Sequence, residues 1–104
     1  MNKYKIDITK PALKDLDYII YYIVEELKEP GIAKKLYDKI INNINNLSEY
    51  PRIYAVIQNK NLKQFDYRKI VVDNYLIFYR VIDETNVVQV DRIMYGGMDW
   101  ENLL

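Results

Sequence analysis

Residues 65–95 constrain the fold more than any other part of the chain. FDYRKIVV (65–72), YLIFYRVI (75–82) and VVQVDRIMY (87–95) are dense in β-branched and aromatic residues, the types that suit a pleated, half-buried surface. Only DN (73–74) and DETN (83–86) separate them. Linkers this short join antiparallel neighbours, because a parallel pair needs a crossover of a dozen or more residues. The stretch therefore predicts a three-stranded antiparallel meander.

The segments upstream supply what packs on it. KYKIDI (3–8) alternates polar and apolar residues, as a short strand does, and can join the meander at an edge. Thr9 is placed to cap a helix, with Pro11 at an early position where its missing N–H costs little. Leu13, Leu16, Ile20, Ile23, Val24 and Leu27 then recur at helical spacing, predicting a helix from Pro11 to Lys28. EPG (29–31) breaks it. A second pattern follows at Ala33, Leu36, Tyr37, Ile40, Ile41, Ile44 and Leu47, with Asn42, Asn43, Asn45 and Asn46 on its other side. The short link makes the two helices an antiparallel hairpin. Residues 52–64 read as an irregular, partly extended connection. The expectation is an α+β domain spanning residues 1–104, in the order β-α-α-β-β-β, with the N-terminal helical hairpin on one face of a small antiparallel sheet.

Tight turns fix the cross-strand pairing by arithmetic. One face then holds Arg68, Ile70, Val72, Tyr75, Ile77, Tyr79, Val81, Val88, Val90, Arg92 and Met94, and should pack on the helices. The other holds Tyr67, Lys69, Val71, Leu76, Phe78, Arg80, Ile82, Val87, Gln89, Asp91 and Ile93, with no obvious cover. Lys69, Arg80, Gln89 and Asp91 converge at its centre. An open sheet face mixing aromatic and charged groups suits a partner or a site; otherwise it is a solvated face with a weak ion-pair cluster.

Composition limits the chemistry. The 104 residues include 15 basic and 15 acidic side chains, no cysteine and no histidine. Disulfides, thiolate catalysis and cysteine zinc sites are excluded, which fits a reducing cytosol. The absence of histidine removes imidazole as base, nucleophile activator or ligand, leaving carboxylates, Lys, Arg and Tyr. No metal or other cofactor is expected. MNKYKIDITK lacks the apolar run of a signal peptide, and no stretch is long enough to span a membrane, so the expected location is the cytoplasm. Zero net charge argues against a simple nucleic-acid coat. The basic groups are concentrated, however: residues 52–80 carry six basic and two acidic groups, and residues 81–104 carry one and five.

Other constellations carry less. Asp15, Asp17, Glu25, Glu26 and Glu29 read as a solvated helix face. The tyrosines of DYIIYYI read as helix packing. Ser48, the only serine, has no histidine to activate it, and the three glycines form no phosphate loop. In RIMYGGMDW (92–100), Gly96 and Gly97 read as a strand exit using positive φ. Asp99 is placed to cap a final segment, WENLL, and Trp100 can fold back on the core or present an apolar surface.

The order of elements, the phrase YRKIVVDNYLIFYRVID and the closing VDRIMYGGMDWENLL together resemble the ParE/RelE superfamily of toxins from bacterial type II toxin–antitoxin modules. The resemblance spans nearly the whole chain. It implies a growth-inhibiting toxin held inactive by a cognate antitoxin that wraps a segment over its surface. It also implies one of two mechanisms: ParE-like inhibition of DNA gyrase by binding, or RelE-like cleavage of mRNA on the ribosome.

Cleavage of that kind uses the ribose 2′-OH as nucleophile and needs a base, cations for the developing charge and an acid for the leaving oxygen. Aligned through NYLIFYRVID, the RelE-like cluster falls on Tyr67, Lys69, Leu76, Gly97 and Leu103, of which Lys69 alone has matching chemistry. A nuclease would have to use Lys69 and Arg80 on phosphate and Tyr95 as acid, with Arg68 and Arg92 assisting. The expectation is therefore a binding toxin of the gyrase-inhibiting type, with Arg68, Arg92, Asp99 and Trp100 as candidate contact residues. The non-standard nuclease is the alternative, followed by a degenerate toxin that retains only antitoxin binding.

Overall fold

The computed structural model describes residues 3–59 and 65–104. Its elements are β1 (Lys5–Ile8), α1 (Lys10–Tyr21), α2 (Pro30–Asn46), β2 (Arg68–Val72), β3 (Tyr75–Ile82), β4 (Val87–Tyr95) and a short α3 (Trp100–Leu103), with a π-helical turn, Tyr22–Glu26, extending α1. The strands lie in the order β1-β4-β3-β2. The meander is antiparallel, as expected, and β1 joins at the edge, but it runs parallel to β4. The sheet is mixed rather than wholly antiparallel.

Thr9 caps α1, its hydroxyl accepting from the Ala12 N–H at 3.3 Å. The expected continuous helix to Lys28 gives way after Tyr21. In the wider turn the Leu27 N–H donates to the Tyr22 carbonyl at 3.1 Å, and the chain exits through Lys28 in the left-handed region, φ 56°. The wider turn shifts the periodicity. Ile23 stays buried, while Leu27, expected inside, is exposed. At the start of the helix Ala12 and Ile19 are buried and Leu13 is not. The α2 stripe of Ala33, Leu36, Ile40 and Ile44 is buried as its spacing predicts.

These helices cover Ile70, Val72, Ile77, Tyr79, Val88, Val90 and Ile93. The face assignment holds up to Val90 and then inverts. Phe78 pairs with Arg92 and Tyr79 with Val90, so Asp91 is an extra residue, a β-bulge. A regular strand would have carried Arg92 into the helix-facing core and Ile93 to the other side. The bulge keeps the guanidinium out and buries Ile93, pairing it with Ile77. Met94 moves to the opposite face for the same reason.

The opposite face is partly covered. The tail returns across it, and Trp100 and Leu104, with Ile57 and Tyr67, pack on Leu76, Phe78 and Met94. Strand β2 is shorter than expected because Asp66 sits in the left-handed region, φ 52°, and keeps Phe65 and Asp66 out of the ladder. In the connection, Val56 bridges Arg68. The expected irregular stretch 52–64 ends outside the described residues, at 60–64. Among the described residues no helix is long and apolar enough to cross a membrane.

Candidate functional site

Two surfaces emerge from this arrangement. The first is the sheet face under the tail. Lys69, opposite Phe78, holds its Nζ 5.0 Å from the centroid of Trp100, whose ring in turn stacks on Phe78 at 5.2 Å. Arg80 donates its Nε–H to Asp91 at 2.9 Å and lays its guanidinium 5.3 Å from the Tyr67 ring. Gln89 donates to the other Asp91 oxygen at 2.6 Å. Burial, aided by the Asp91 charge, pushes the Tyr67 phenol above its ordinary value. Arg80, Gln89 and Asp91 thus meet, while Lys69 on the same face is engaged by Trp100.

Tyr95 lies elsewhere. The residue follows Met94 past the bulge, and its ring meets Tyr75 edge-on at 5.9 Å, beside Tyr18, Tyr22 and Leu27 of the helical layer. It is not brought together with Lys69 and Arg80. Arg68 is also apart from them, on the Tyr79 side, donating to the Tyr54 carbonyl at 2.5 Å.

Arg92 lies where β1 no longer covers the β4 edge. Its Nε–H and Nη2–H donate to the two oxygens of Asp15 on α1, at 2.7 and 3.0 Å, and the Ile93 N–H donates to Asp15 as well, at 3.0 Å. The Asp15 carboxylate holds the Arg92 guanidinium above its ordinary value. Asp15 had read as part of a solvated face. Its position three residues after Ala12 and four before Ile19, on the buried stripe, was the signal that it faces inward.

The tail departs from expectation in two details. Neither glycine has a positive φ. They allow close approach instead: a Cβ on Gly96 would lie 3.1 Å from the Asn74 carbonyl oxygen, and one on Gly97 2.6 Å from Cε2 of the exposed Tyr95 ring, which would have to move. Asp99 precedes α3 without capping its backbone, and its carboxylate accepts from the Asn102 side chain at 2.6 Å.

The second surface is a cleft of about 470 Å³ between the helical layer and the sheet, lined by Tyr18, Ile19, Tyr22, Leu27, Tyr75 and Tyr95. Tyr18 and Tyr22 had read as helix packing and Tyr95 as the acid of a nuclease. Tyr18, Tyr22, Leu27 and Tyr95 are in fact exposed. Among the described residues, no group of three or more carboxylates is placed to hold a metal ion.

A helical layer on a four-stranded sheet is a fold that this chain shares with solved chains of toxin–antitoxin systems. A chain of the chromosomal ParDE toxin–antitoxin system of P. aeruginosa superposes with a TM-score of 0.71 at 20% identity, over 91% of this chain and 98% of that one. The isolated E. coli RelE toxin gives 0.58 at 21% identity, over 97% and 99%. A chain of a RelBE toxin–antitoxin complex from Mycobacterium tuberculosis gives 0.61 at 18%, over 91% and 93%. No match is found among the curated proteins. Residues 6–100 match the family described as the ParE toxin of type II toxin–antitoxin system, parDE, and the chain belongs to that family.

Proposed function

We propose that this toxin arrests growth by binding, most concretely by inhibiting DNA gyrase, and that a cognate antitoxin holds it inactive. The observation that carries this reading is the use of the sheet face's own cations: Lys69 is stacked on Trp100 and Arg80 is tied to Asp91. Tyr95, the proposed acid of a nuclease, belongs to the opposite side. Leu76, where the RelE-like pattern would place a cation, is buried against Phe78 and Met94. The surface offers apolar and aromatic area for a partner rather than free charge for a phosphate. An antitoxin partner is supported by the ParDE and RelBE systems to which the similar structures belong.

The second reading is a ribosome-dependent mRNA endonuclease. It is favoured by the shared face of Lys69 and Arg80, which are opposite Phe78 and Gln89 respectively. The two readings separate in vitro. Purified toxin added to DNA gyrase should inhibit supercoiling, with inhibition relieved by antitoxin, and should leave ribosome-bound mRNA uncut. Cleaved mRNA with unimpaired supercoiling would favour the endonuclease.

A further inference from the structure

The outward face of α1 carries a pattern that the fold of a single chain does not use. Lys10, Lys14, Tyr18, Tyr21 and Glu25 recur at spacings of four, four, three and four. They therefore share the side of the helix opposite the buried Ala12, Leu16, Ile19 and Ile23. All five are exposed, Tyr18 by 68% and Tyr21 by 58%. Among the described residues, Lys10, Lys14, Tyr18 and Tyr21 make no side-chain hydrogen bond, ion pair or ring contact, and Glu25 meets Lys28 at 4.0 Å. Asp17, at the flank of the stripe, is the remaining charge on it.

These charges run the wrong way for the helix that bears them. A helix favours acidic groups at its N-terminus and basic groups at its C-terminus. Here Lys10 and Lys14 open α1, while Glu25 and Glu26 end the π turn. No acidic residue lies in the first turn of α1 and no basic residue in the last turn of the π segment, with Lys28 just beyond it as a partial offset. The same polarity is self-complementary. Lys14 and Glu25 lie equally far from the midpoint between Tyr18 and Tyr21, about 8 Å along the axis on either side. A two-fold axis through that midpoint lays α1 antiparallel on its copy, seats Tyr18 against the partner's Tyr21, and brings Lys14 to the partner's Glu25.

We propose that this toxin pairs with a second copy of itself through α1, the two helices antiparallel about the midpoint between Tyr18 and Tyr21. The tyrosine rings supply the apolar contact, and the two symmetric pairs of Lys14 with Glu25 set the register. Two tyrosines bury about 300 Å², so even with the flanking stems the contact falls short of the about 800 Å² per partner of a standard interface. The dimer is accordingly a weak one, forming at about ten micromolar and above. Because α1 packs on the other side of the sheet from Phe78 and Trp100, pairing leaves the face beneath the tail open to a target.

Sedimentation equilibrium of the full chain tests this. The parent should show a monomer–dimer equilibrium. Lys14→Glu or Glu25→Lys alone should raise the dimer dissociation constant about tenfold, since each sets like charges opposite one another twice. An equimolar mixture of the two variants should regain association close to the parent's, because each then offers the other an opposite charge at both positions. Tyr18→Ser/Tyr21→Ser should abolish association. All these positions are exposed, so the fold is retained, and circular dichroism checks it. A parent that stays monomeric at about 1 mM overturns the dimer. A dimer insensitive to both charge variants, or one the mixture does not regain, overturns the α1 interface and places the copies on another surface. Variants that weaken antitoxin binding while the parent is monomeric overturn it too, and assign the stripe to the antitoxin.

Discussion

Removing the Asp15 carboxylate should cost this small toxin a large part of its stability. Asp15 accepts three hydrogen bonds, two from Arg92 and one from the Ile93 N–H. Ile93 is 1% exposed, so in Asp15→Ala its N–H loses a partner that water cannot readily replace, at about 1–3 kcal/mol. The Arg92 and Asp15 side chains are 32% and 17% exposed, between a surface pair and a buried one. Loss of that charge partner adds about 1–2 kcal/mol. Alanine's better helix propensity returns about 0.5 kcal/mol, leaving a net loss of about 1.5–4.5 kcal/mol. Asp15→Asn keeps an acceptor for Ile93 and should lose about half as much. Urea unfolding followed by circular dichroism reads the global loss, and fluorescence of Trp100, the only tryptophan, reads the tail. An Asp15→Ala variant within about 0.5 kcal/mol of the parent, at unchanged slope, would refute the bridge as a structural element.

Three further outcomes follow from the same geometry. Arg52 and Tyr4 both hydrogen-bond Asp83 and hold its carboxyl below 3.8, so its contribution is present above that pH and is lost as pH falls through the lowered value; in Arg52→Ala, NMR titration should find Asp83 returning toward 3.8. Burial pushes the Tyr79 phenol, which donates to the Pro51 carbonyl at 2.9 Å, up to about 12, so its contribution is intact below 10 and lost as pH rises toward about 12; ultraviolet titration should show late-titrating phenols, the latest of which Tyr79→Phe removes, at a stability cost of about 1 kcal/mol. Gly97→Ala should displace the exposed Tyr95 ring and its contact with Tyr75 while costing under about 1 kcal/mol, read by ring resonances and thermal unfolding.

Periodicity made most of the fold legible. The meander, the helical hairpin, the Thr9 cap and the meeting of Arg80 with Asp91 all follow from patterns of two and 3.6 residues and from turn chemistry. The two shifts that pattern reading missed each insert a residue. The bulge at Asp91 inverts the end of β4, and the π turn at Tyr22–Glu26 turns Leu27 outward. Local propensity does not encode an inserted residue; tertiary packing sets it, here by the need to keep Arg92 out of the core. The tyrosine cleft was hidden because Tyr18 and Tyr22 lie on a helix, where aromatic residues at regular spacing read as packing. Its other half comes from Tyr75 and Tyr95, more than fifty residues away along the chain.

The most direct test of the account is pulse-labelling of DNA and protein synthesis after induction of the toxin in a bacterium lacking the antitoxin, with Lys69→Ala/Arg80→Ala alongside the parent. A binding toxin directed at gyrase predicts that DNA synthesis falls first and that the double variant, once shown to be folded, still arrests growth. Protein synthesis falling first, with arrest abolished in the folded double variant, would contradict it and assign the sheet face to RNA cleavage.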